Sequence, residues 1–264
     1  MTGEPDTVQL WLVPDQQPGP APADLLAVLD PEERARAAAY LSADARRRFV
    51  LAHGAVRHIV AGRLGVAPQE IRWRRGPHGK PELAGRYTGA EVNLSHSGAM
   101  AMVALSASRR VGVDVQRVLP RLDATGMPER WFLPEEACFV RAAADPDSRA
   151  ERFAGLWARK EALVKAHGGR LTQGLRIPLL DSGTVTGGNP VDAWSHDYRV
   201  ADVPAPEGYR AAVALSGTEA FLVSVDRWTW PGRTSPAPTG PLARRPAAPP
   251  LPCTAPPPVR PAGC

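Results

Sequence analysis

The sequence predicts an α+β fold made of two successive halves, each with a long helix and several strands. Two helix starts stand near the beginning of the chain, at Asp30 and Ser42, and apolar strand-like segments follow between residues 91 and 116. A second long helix, from about residue 150 to 167, precedes further strand-like segments. Helices and strands that follow one another in blocks are typical of α+β proteins.

The first half contains two helices with clear start signals. Asp30 is followed by Pro31 and two glutamates, the pattern of an N-cap, a proline in the first turn and acids near the positive end of the helix dipole. We expect this helix to reach about Tyr40. Ser42 caps a longer helix, in which apolar residues recur at helical spacing: Phe49, Ala52, Val56, Ile59 and Val60.

The middle of the chain has the patterns of strands. Residues 91–95, 99–105 and 111–116 are predicted to form paired strands. In the last of them, the side-chain period of two places the three valines on one face and Asp114 with Gln116 on the other. Two oxygen-bearing side chains therefore point the same way.

A proline-marked boundary divides the chain into predicted domains, residues 1–118 and 119–230. The second domain should contain a helical segment at 134–140 and strands near residues 199–203, 210–215 and 220–228. Residues 231–264 hold 12 of the 29 prolines, four arginines and no acidic residue. Such a segment has too little apolar surface for a core and is predicted to be a disordered tail.

Net charge gives little support to nucleic-acid binding. The formal charge is +5, and leaving out the four arginines of the tail reduces it to +1 for residues 1–230. Nucleic-acid binding requires clustered basic charge on a surface. The N-terminus lacks a basic start with an apolar core, and no run of about 18 apolar residues occurs. We therefore expect a cytoplasmic protein that does not associate with membranes.

Charged residues lie on the apolar stripe of the second long helix. Glu161 and Lys165 are four residues apart, which by itself is typical of a solvated ion pair worth about 0.3–0.5 kcal/mol. Burial would instead cost several kcal/mol per ion unless a partner, metal or ligand compensated. The stripe that favours burial consists of Phe153, Leu156, Trp157 and Val164, with Lys160 and Glu161 at the next positions.

Asp114 raises the same question, because an acid in a valine-rich strand lies either on an exposed face or in a site. A strand carboxylate and a helix carboxylate, Asp114 and Glu161, offer the hard oxygens that Mg²⁺ accepts, with water and substrate phosphate completing the octahedron. The pair therefore indicates a diphosphate substrate.

Four motifs occur in order along the chain, and together they resemble the 4'-phosphopantetheinyl transferases of the larger, surfactin-type branch. The similarity extends over roughly residues 30–171, and Gly208-Tyr209-Arg210 is also similar. The motifs are Gly79-Lys80-Pro81, Asn93-Leu94-Ser95-His96-Ser97-Gly98, Gly112-Val113-Asp114, and Leu156-Trp157 with Lys160-Glu161 and Lys165.

The resemblance implies a monomer folded as a pseudo-twofold pair of α+β lobes. Each lobe would be a small antiparallel sheet packed on a long helix, with the active site at the lobe interface. The shorter branch of the superfamily assembles its site between subunits, whereas Asp114 and Glu161 lie in successive halves of one chain here. Docking of the carrier protein is expected near residues 126–132.

The resemblance also implies a reaction. A serine of an acyl or peptidyl carrier protein attacks the β-phosphate of coenzyme A, with Mg²⁺ bound, and adenosine 3',5'-bisphosphate is released. Asp114 and Glu161 would bind the metal, and Gln116 stands where many relatives carry another acidic ligand. Lys165 matches a lysine that meets the leaving phosphate. Either Glu161 or Glu136 would accept the serine proton.

Further residues of the motifs are implied to bind coenzyme A. Arg36, Arg48 and His96 would gather at its 3'-phosphate, since the planar guanidinium of arginine suits a terminal phosphate. Glu33 stands where some relatives have a lysine that faces the nucleotide. The complete set of residues assigned to coenzyme A is Arg36, Arg48, Lys80, Ser95, His96 and Lys160.

Other classes of function fit less well. The adjacent Ser95, His96 and Ser97 suggest a serine hydrolase, but no Gly-x-Ser-x-Gly elbow is present, and the P-loop motif of kinases is absent. The remaining alternative is a nucleic-acid-binding module with Trp73 as a stacking platform. It would leave Asp114 and Glu161 without a role. Its basic residues would be Arg46, Arg47, Arg48, Arg72, Arg74 and Arg75.

Overall fold

The structure is a computed structural model, and it describes residues 6–17, 22–76, 78–85, 89–119, 126–187 and 196–230. Its helices are α1 (Pro22–Val28), α2 (Pro31–Ala38), α3 (Ala43–Leu64), α4 (Met127–Trp131), α5 (Pro134–Arg141), α6 (Pro146–His167) and α7 (Leu171–Gly174), with a 3-10 turn at Pro68–Glu70. Its strands are β1 (Asp6–Pro14), β2 (Trp73–Arg75), β3 (Pro81–Leu83), β4 (Glu91–Ser97), β5 (Met100–Ser106), β6 (Val111–Arg117), β7 (Gly183–Val185), β8 (Tyr198–Val203), β9 (Tyr209–Ser216) and β10 (Phe221–Arg227).

The α+β class predicted from the sequence is confirmed. Strands are arranged in the order β10-β1-β5-β4 in a first sheet and β6-β9-β8-β7 in a second, and β2 and β3 form a small hairpin. Neighbouring strands are antiparallel except β1 and β10, which run parallel. The predicted tail, residues 231–264, lies outside the described residues.

The predicted pairing of the three central strands is correct for β4 with β5 but wrong for β6. β6 pairs with β9, where Val113 lies opposite Val213 and Asp114 opposite Ala212. The chain crosses from the first sheet to the second in the short turn between β5 and β6, and β10 later returns to the first sheet beside β1. The predicted domain boundary at residues 118 and 119 therefore does not coincide with the division of strands between the sheets.

The protein has four layers, which are α3, the first sheet, the second sheet and α6. One face of the first sheet packs on α3, and the α6 side of the second sheet contributes Ala212 and Ala214 to a separate core with Ala162. The other faces of the two sheets meet in a third core, which includes Met102 and Val113. Each long helix thus covers one sheet. A pseudo-twofold relation between these two units stays a prediction.

Both helix starts in the first half form as predicted. Asp30 accepts a hydrogen bond from the backbone N–H of Glu33, and the Glu33 side chain accepts one from the backbone N–H of Asp30, which completes a capping box. Ser42 accepts from the backbone N–H of Ala45 at the start of α3. α2 ends at Ala38, two residues before its predicted end. None of the helices in the described parts of the chain is long and apolar enough to cross a membrane.

The fully buried Arg57 ties α2 to α3. Its Nε donates to Glu33 Oε2 at 2.6 Å and its Nη2 to Asp30 Oδ2 at 2.6 Å. Glu33 Oε1 also lies 3.0 Å from Nδ1 of His53. Glu33 is thus buried in an internal network, which explains why the chain has an acid at this position.

Gly112 allows β6 to lie directly on α6. A Cβ atom at this position would stand 2.1 Å from the carbonyl oxygen of Ala162 and 2.2 Å from the backbone nitrogen of Ala166. Both neighbours are helix backbone, which cannot move aside as a flexible side chain would. The close approach holds Asp114, two residues further along β6, against the part of α6 that carries Glu161.

Substitution of Gly112 tests this contact. We expect Gly112→Ala to lower the free energy of unfolding by about 3 kcal/mol, because the added methyl group forces the strand and the helix apart. Chemical denaturation measures the change. Gly155→Ala in α6 is the matched control, since a Cβ there meets nothing within 4 Å. The control should be stabilised by up to about 1 kcal/mol, and an equally tolerant Gly112 would contradict the close contact.

Candidate active site

Asp114 lies at the contact between β6 and α6 and is buried, with 4% of its surface exposed. Its Oδ1 accepts hydrogen bonds from Ser95 Oγ at 2.6 Å and from Lys165 Nζ at 2.6 Å. Its Oδ2 is buried and has no hydrogen-bond partner within the described parts of the chain. Burial raises the pKa of Asp114, and Lys165 and Ser95 oppose that rise only in part. One carboxylate oxygen is thus satisfied and the other is available.

Glu161 and Lys165 reach the same place from α6, one helical turn apart. Burial raises the pKa of Glu161, Lys165 lowers it, and the negative charge of Asp114 raises it further. Because Lys165 bonds to Asp114, and Glu161 lies one helical turn before Lys165, both helix residues lie on the side of α6 that faces Asp114. The structure therefore brings Asp114, Glu161 and Lys165 together from two distant parts of the sequence.

These residues fit a divalent cation that is also held by water and substrate. Across the described residues, no group of three or more His, Cys, Asp or Glu side chains could hold a metal ion by itself. Mg²⁺ is usually bound by only one or two carboxylates, together with waters and substrate phosphates. The unpartnered Oδ2 of Asp114 and the nearby Glu161 supply that number. Gln116, half-buried, follows on the same face of β6.

Glu136 and Lys160 form a different, internal ion pair. Nζ of Lys160 lies 2.8 Å from Oε2 of Glu136 and also donates to the carbonyls of Leu175 and Ile177. Glu136 accepts from the backbone N–H groups of Leu133 and Leu179. Both side chains are at most 1% exposed. All three N–H bonds of the lysine are used, so the pair joins α5 and the segment after α7 to α6.

Arg48 and His96 line one shallow pocket together with Asp15. Arg48 Nε lies 3.2 Å from Asp15 Oδ2, and Arg47 pairs with the same carboxylate. His96 is exposed as a residue, but partial burial of its ring lowers its pKa, and the nearby charges of Lys165 and His53 lower it further. His96 directly follows Ser95, whose hydroxyl bonds to Asp114, so this pocket lies next to the Asp114 site.

Arg36 and Lys80 contact different parts of the first half of the chain. Arg36 is exposed on α2, and its guanidinium carbon stands 5.1 Å from the ring centroid of Phe49. Nζ of Lys80 lies 3.1 Å from Glu91 Oε2 and donates to the carbonyl of Val111 at 3.1 Å. Lys80 is therefore fixed at the start of β6, the strand that carries Asp114.

The arginines of the nucleic-acid alternative are interleaved with acids. Arg74 pairs with Glu82 at 2.8 Å, Arg75 pairs with Glu32, and Arg47 and Arg48 share Asp15. The ring of Trp73 packs against the core beneath the first sheet. This arrangement lacks the open aromatic platform in a groove of one charge that single-stranded nucleic acid requires.

The predicted docking region, residues 126–132, contains α4. Phe132 is buried, and its ring centroid lies 5.2 Å from that of Phe153. Trp131, the preceding residue, is half-buried against the same small core. The aromatic end of this segment faces inward, so a docking surface here would have to use the remaining residues of α4.

Asp15 and Gly112 contribute to the site, but the sequence analysis assigned neither of them a role there. Asp15 follows β1 and pairs with Arg48. In the sequence, this role is indicated by nothing more than the position of Asp15 directly after an apolar strand. Gly112 permits the contact of β6 with α6. A glycine within a strand often marks the close approach of another backbone, so this signal was present in the sequence.

Comparison with known proteins gives two family matches that cover most of the described chain. Residues 110–214 match a model described as the 4'-phosphopantetheinyl transferase superfamily. Residues 19–108 match one described as 4'-phosphopantetheinyl transferase, N-terminal. The two matches meet at the turn between β5 and β6, where the chain passes from one sheet to the other.

Individual relatives agree with the family matches. The chain is 34% identical over 215 residues to the 4'-phosphopantetheinyl transferase HetI of Nostoc sp., which covers 80% of this chain and 89% of the relative. It is 29% identical over 237 residues to a putative 4'-phosphopantetheinyl transferase of Synechocystis sp., with 84% and 95% covered. It is 26% identical over 154 residues to the 4'-phosphopantetheinyl transferase Sfp of Bacillus subtilis, with 58% and 65% covered.

The internal pair predicts a stability effect. We expect Glu136→Gln or Lys160→Met alone to lower the free energy of unfolding by about 3–5 kcal/mol, because each leaves a buried group without its partner. The double variant should cost less than the sum of the two single variants. Chemical denaturation of all four proteins measures the coupling, and strictly additive losses would show that the two side chains do not interact.

The raised pKa of Glu161 predicts a pH-dependent gain in stability on its removal. Between the usual value of 4.5 and the raised value, the folded protein binds more protons than the unfolded chain, so stability falls as pH rises through this window. We expect Glu161→Gln to melt at a higher temperature than the wild type at neutral pH in EDTA. The gain should shrink as pH is lowered through the window. Thermal denaturation from pH 4 to pH 8 measures it, and a variant that is less stable at every pH would contradict the unfavourable burial.

Proposed function

Because this chain belongs to the 4'-phosphopantetheinyl transferase superfamily, we propose that it transfers the 4'-phosphopantetheine group of coenzyme A to a serine of an apo acyl or peptidyl carrier protein. The reaction requires Mg²⁺ and releases adenosine 3',5'-bisphosphate. The relatives are named as 4'-phosphopantetheinyl transferases. For this chain we propose in addition the carrier-protein substrate, the metal and the released product.

One observation carries the proposal: the buried carboxylate of Asp114, paired with Lys165 through Oδ1, has a second oxygen without a hydrogen-bond partner among the described residues. A buried acceptor left without a hydrogen bond costs about 1–3 kcal/mol, and more when the group is charged. A cation held by Asp114 and Glu161 would give this oxygen a partner, and coenzyme A contains a diphosphate that would need a cation beside it. The arrangement supports a site that is completed by metal and substrate together.

Asp114 and Glu161 would hold the metal, with Gln116 contributing its amide oxygen or a bound water. When bound, Mg²⁺ offsets the negative charge on the diphosphate oxygens. The neutral amide of Gln116 replaces an acid that many relatives carry, so this chain would bind the metal with less charge. Lys165, already 2.6 Å from Asp114, would turn toward the phosphate that leaves.

Glu161 is the proposed base. Its half-buried carboxylate lies one helical turn from Lys165, at the site itself. It would take the proton of the carrier serine, directly or through a water. The serine oxygen then forms a bond to the β-phosphorus, the bond from that phosphorus to the bridging oxygen breaks, and adenosine 3',5'-bisphosphate leaves with the electron pair. Glu136 is a poor candidate because its oxygens already accept bonds from Lys160 and two backbone N–H groups.

Arg36, Arg48 and His96 would bind the 3'-phosphate of coenzyme A, and Lys80 would lie near its diphosphate. Support comes from the shared pocket of Arg48 and His96 beside the Asp114 site. Lys160 is unsuited to bind coenzyme A, because its ammonium group is buried and fully bonded.

We further propose that the protein acts as a monomer in the cytoplasm. Both carboxylates of the site come from one chain, so the site needs no second subunit to supply either of them. The identity of the carrier protein would be decided by its docking surface rather than by these residues.

The direct test combines the protein with coenzyme A, MgCl₂ and an apo carrier protein and detects the added phosphopantetheine by mass spectrometry. We expect addition by the wild type, and at least a 100-fold loss of rate in Asp114→Ala and Glu161→Ala, each of which removes a metal-binding carboxylate while the core stays intact.

Glu135→Ala, which removes an exposed acid beside the buried Glu136, is the control and should retain activity. Wild-type turnover in the Asp114 or Glu161 variant would contradict the metal assignment. Absence of transfer to several carriers, together with salt-dependent binding of DNA or RNA, would instead favour the nucleic-acid alternative.

A further inference from the structure

Side chains, rather than backbone groups, join the two sheets at β4 and β6. β4 is the edge strand of the first sheet and β6 the edge strand of the second. Along β4, every second side chain accepts a hydrogen bond from a backbone N–H of β6, and we call these three bonds the side-chain ladder. Asn93 Oδ1 accepts from Val113 at 2.9 Å, Ser95 Oγ from Val115 at 3.3 Å, and Ser97 Oγ from Arg117 at 3.0 Å.

The ladder gives the three polar residues of β4 a common structural role. The edge of β6 away from β9 would otherwise hold backbone N–H groups without partners, and an unpaired buried N–H is costly. Residues with short polar side chains can reach across because the strand period of two sends positions 93, 95 and 97 to the same side. The ladder therefore fixes β6 relative to β4.

Ser95 differs from the other two members of the ladder because its hydroxyl also contacts the active site. Its Oγ lies 2.6 Å from Asp114 Oδ1 and 3.1 Å from Lys165 Nζ, in addition to its bond from Val115. A hydroxyl has one proton and two acceptor positions. The N–H of Val115 and the ammonium of Lys165 fill both acceptor positions, so the hydroxyl proton must point to Asp114.

This geometry decides which oxygen of Asp114 is available. Oδ1 accepts from both Ser95 and Lys165, whereas Oδ2 has no partner among the residues that the structure describes. The terminal torsion of an aspartate is broad by itself, so the carboxylate needs such bonds to hold one orientation. Ser95 supplies a directed bond from the first sheet, and Lys165 supplies one from α6.

We propose that Ser95 is a positioning residue that orients Asp114, so that Oδ2 faces the divalent cation, and that Asn93 and Ser97 serve only to join the strands. The inference rests on the proposed function for the presence of a metal. It gives Ser95 a role in the metal site that differs from contact with coenzyme A. Hydrogen-bond partners of metal ligands typically change metal affinity 10- to 100-fold when they are removed.

The test is a titration of the full chain with Mn²⁺, followed by electron paramagnetic resonance of the free ion. Without substrate, we expect Ser95→Ala to bind Mn²⁺ about 10- to 100-fold more weakly than the wild type. Ser97→Ala is the matched control, because it removes the same kind of ladder bond without touching Asp114. It should bind Mn²⁺ within about 2-fold of the wild type, while thermal denaturation checks that both variants are folded at the temperature of the titration.

A second pair of variants separates the hydroxyl from the packing. Ser95→Thr and Ser95→Val have nearly the same shape, and only the threonine can donate to Asp114. We expect the threonine variant to bind Mn²⁺ more tightly than the valine variant by the same 10- to 100-fold. Equal Mn²⁺ affinity of the threonine and valine variants would overturn the proposal, as would equal weakening by Ser95→Ala and Ser97→Ala.

The outcomes also distinguish this inference from the proposed function. If the wild type binds Mn²⁺ and transfers phosphopantetheine while Ser95→Ala binds the ion equally well, only the role of Ser95 is wrong. If the wild type neither binds Mn²⁺ nor transfers the group, both proposals are wrong.

Discussion

The structure depends on the close contact between β6 and α6, which holds the carboxylate of Asp114 inside the protein. Gly112 allows this contact because any larger residue would meet the backbone of the helix. Burial raises the pKa of both Asp114 and Glu161, and the charge of Lys165 opposes the rise in each case. The fold therefore holds a buried aspartate, paired with Lys165 through one oxygen, against the helix that carries Glu161.

Two other buried charged residues of the described chain, Arg57 and Lys160, have hydrogen-bond partners for their charged groups. Arg57 donates to two carboxylates and two carbonyls, and Lys160 donates to Glu136 and two carbonyls. These groups join helices to neighbouring segments, and their burial keeps them away from a substrate. The free Oδ2 of Asp114 differs from them in this respect. The contrast separates residues that stabilise the fold from residues that are available for chemistry.

The crossing of strands between the sheets explains how two halves of the chain build one site. β6 leaves the first half and joins β9, while β10 returns from the second half to β1. Ser95 on β4 thereby bonds to Asp114 on β6, which in turn lies against α6. The side chains of Asn93, Ser95 and Ser97 accept bonds from the backbone of β6 and keep the two edge strands in register. The length of these side chains therefore sets the separation of β4 and β6.

The sequence alone determined the α+β class, the capped starts of α2 and α3, and Asp114 and Glu161 as acids in unusual positions, because these follow from local spacing and burial patterns. Short elements such as α7 and β7 have too few residues for a periodic signal. Only the tertiary structure decided that β6 pairs with β9, since the hydrogen-bond partner of an apolar strand is not encoded in its own pattern. It also decided that Glu136 and Lys160 form an internal pair, whereas Lys165, one helical turn after Glu161, bonds to Asp114. A charged residue in a sequence motif looks the same in either role, and only the atoms around it show whether its bonds are already filled.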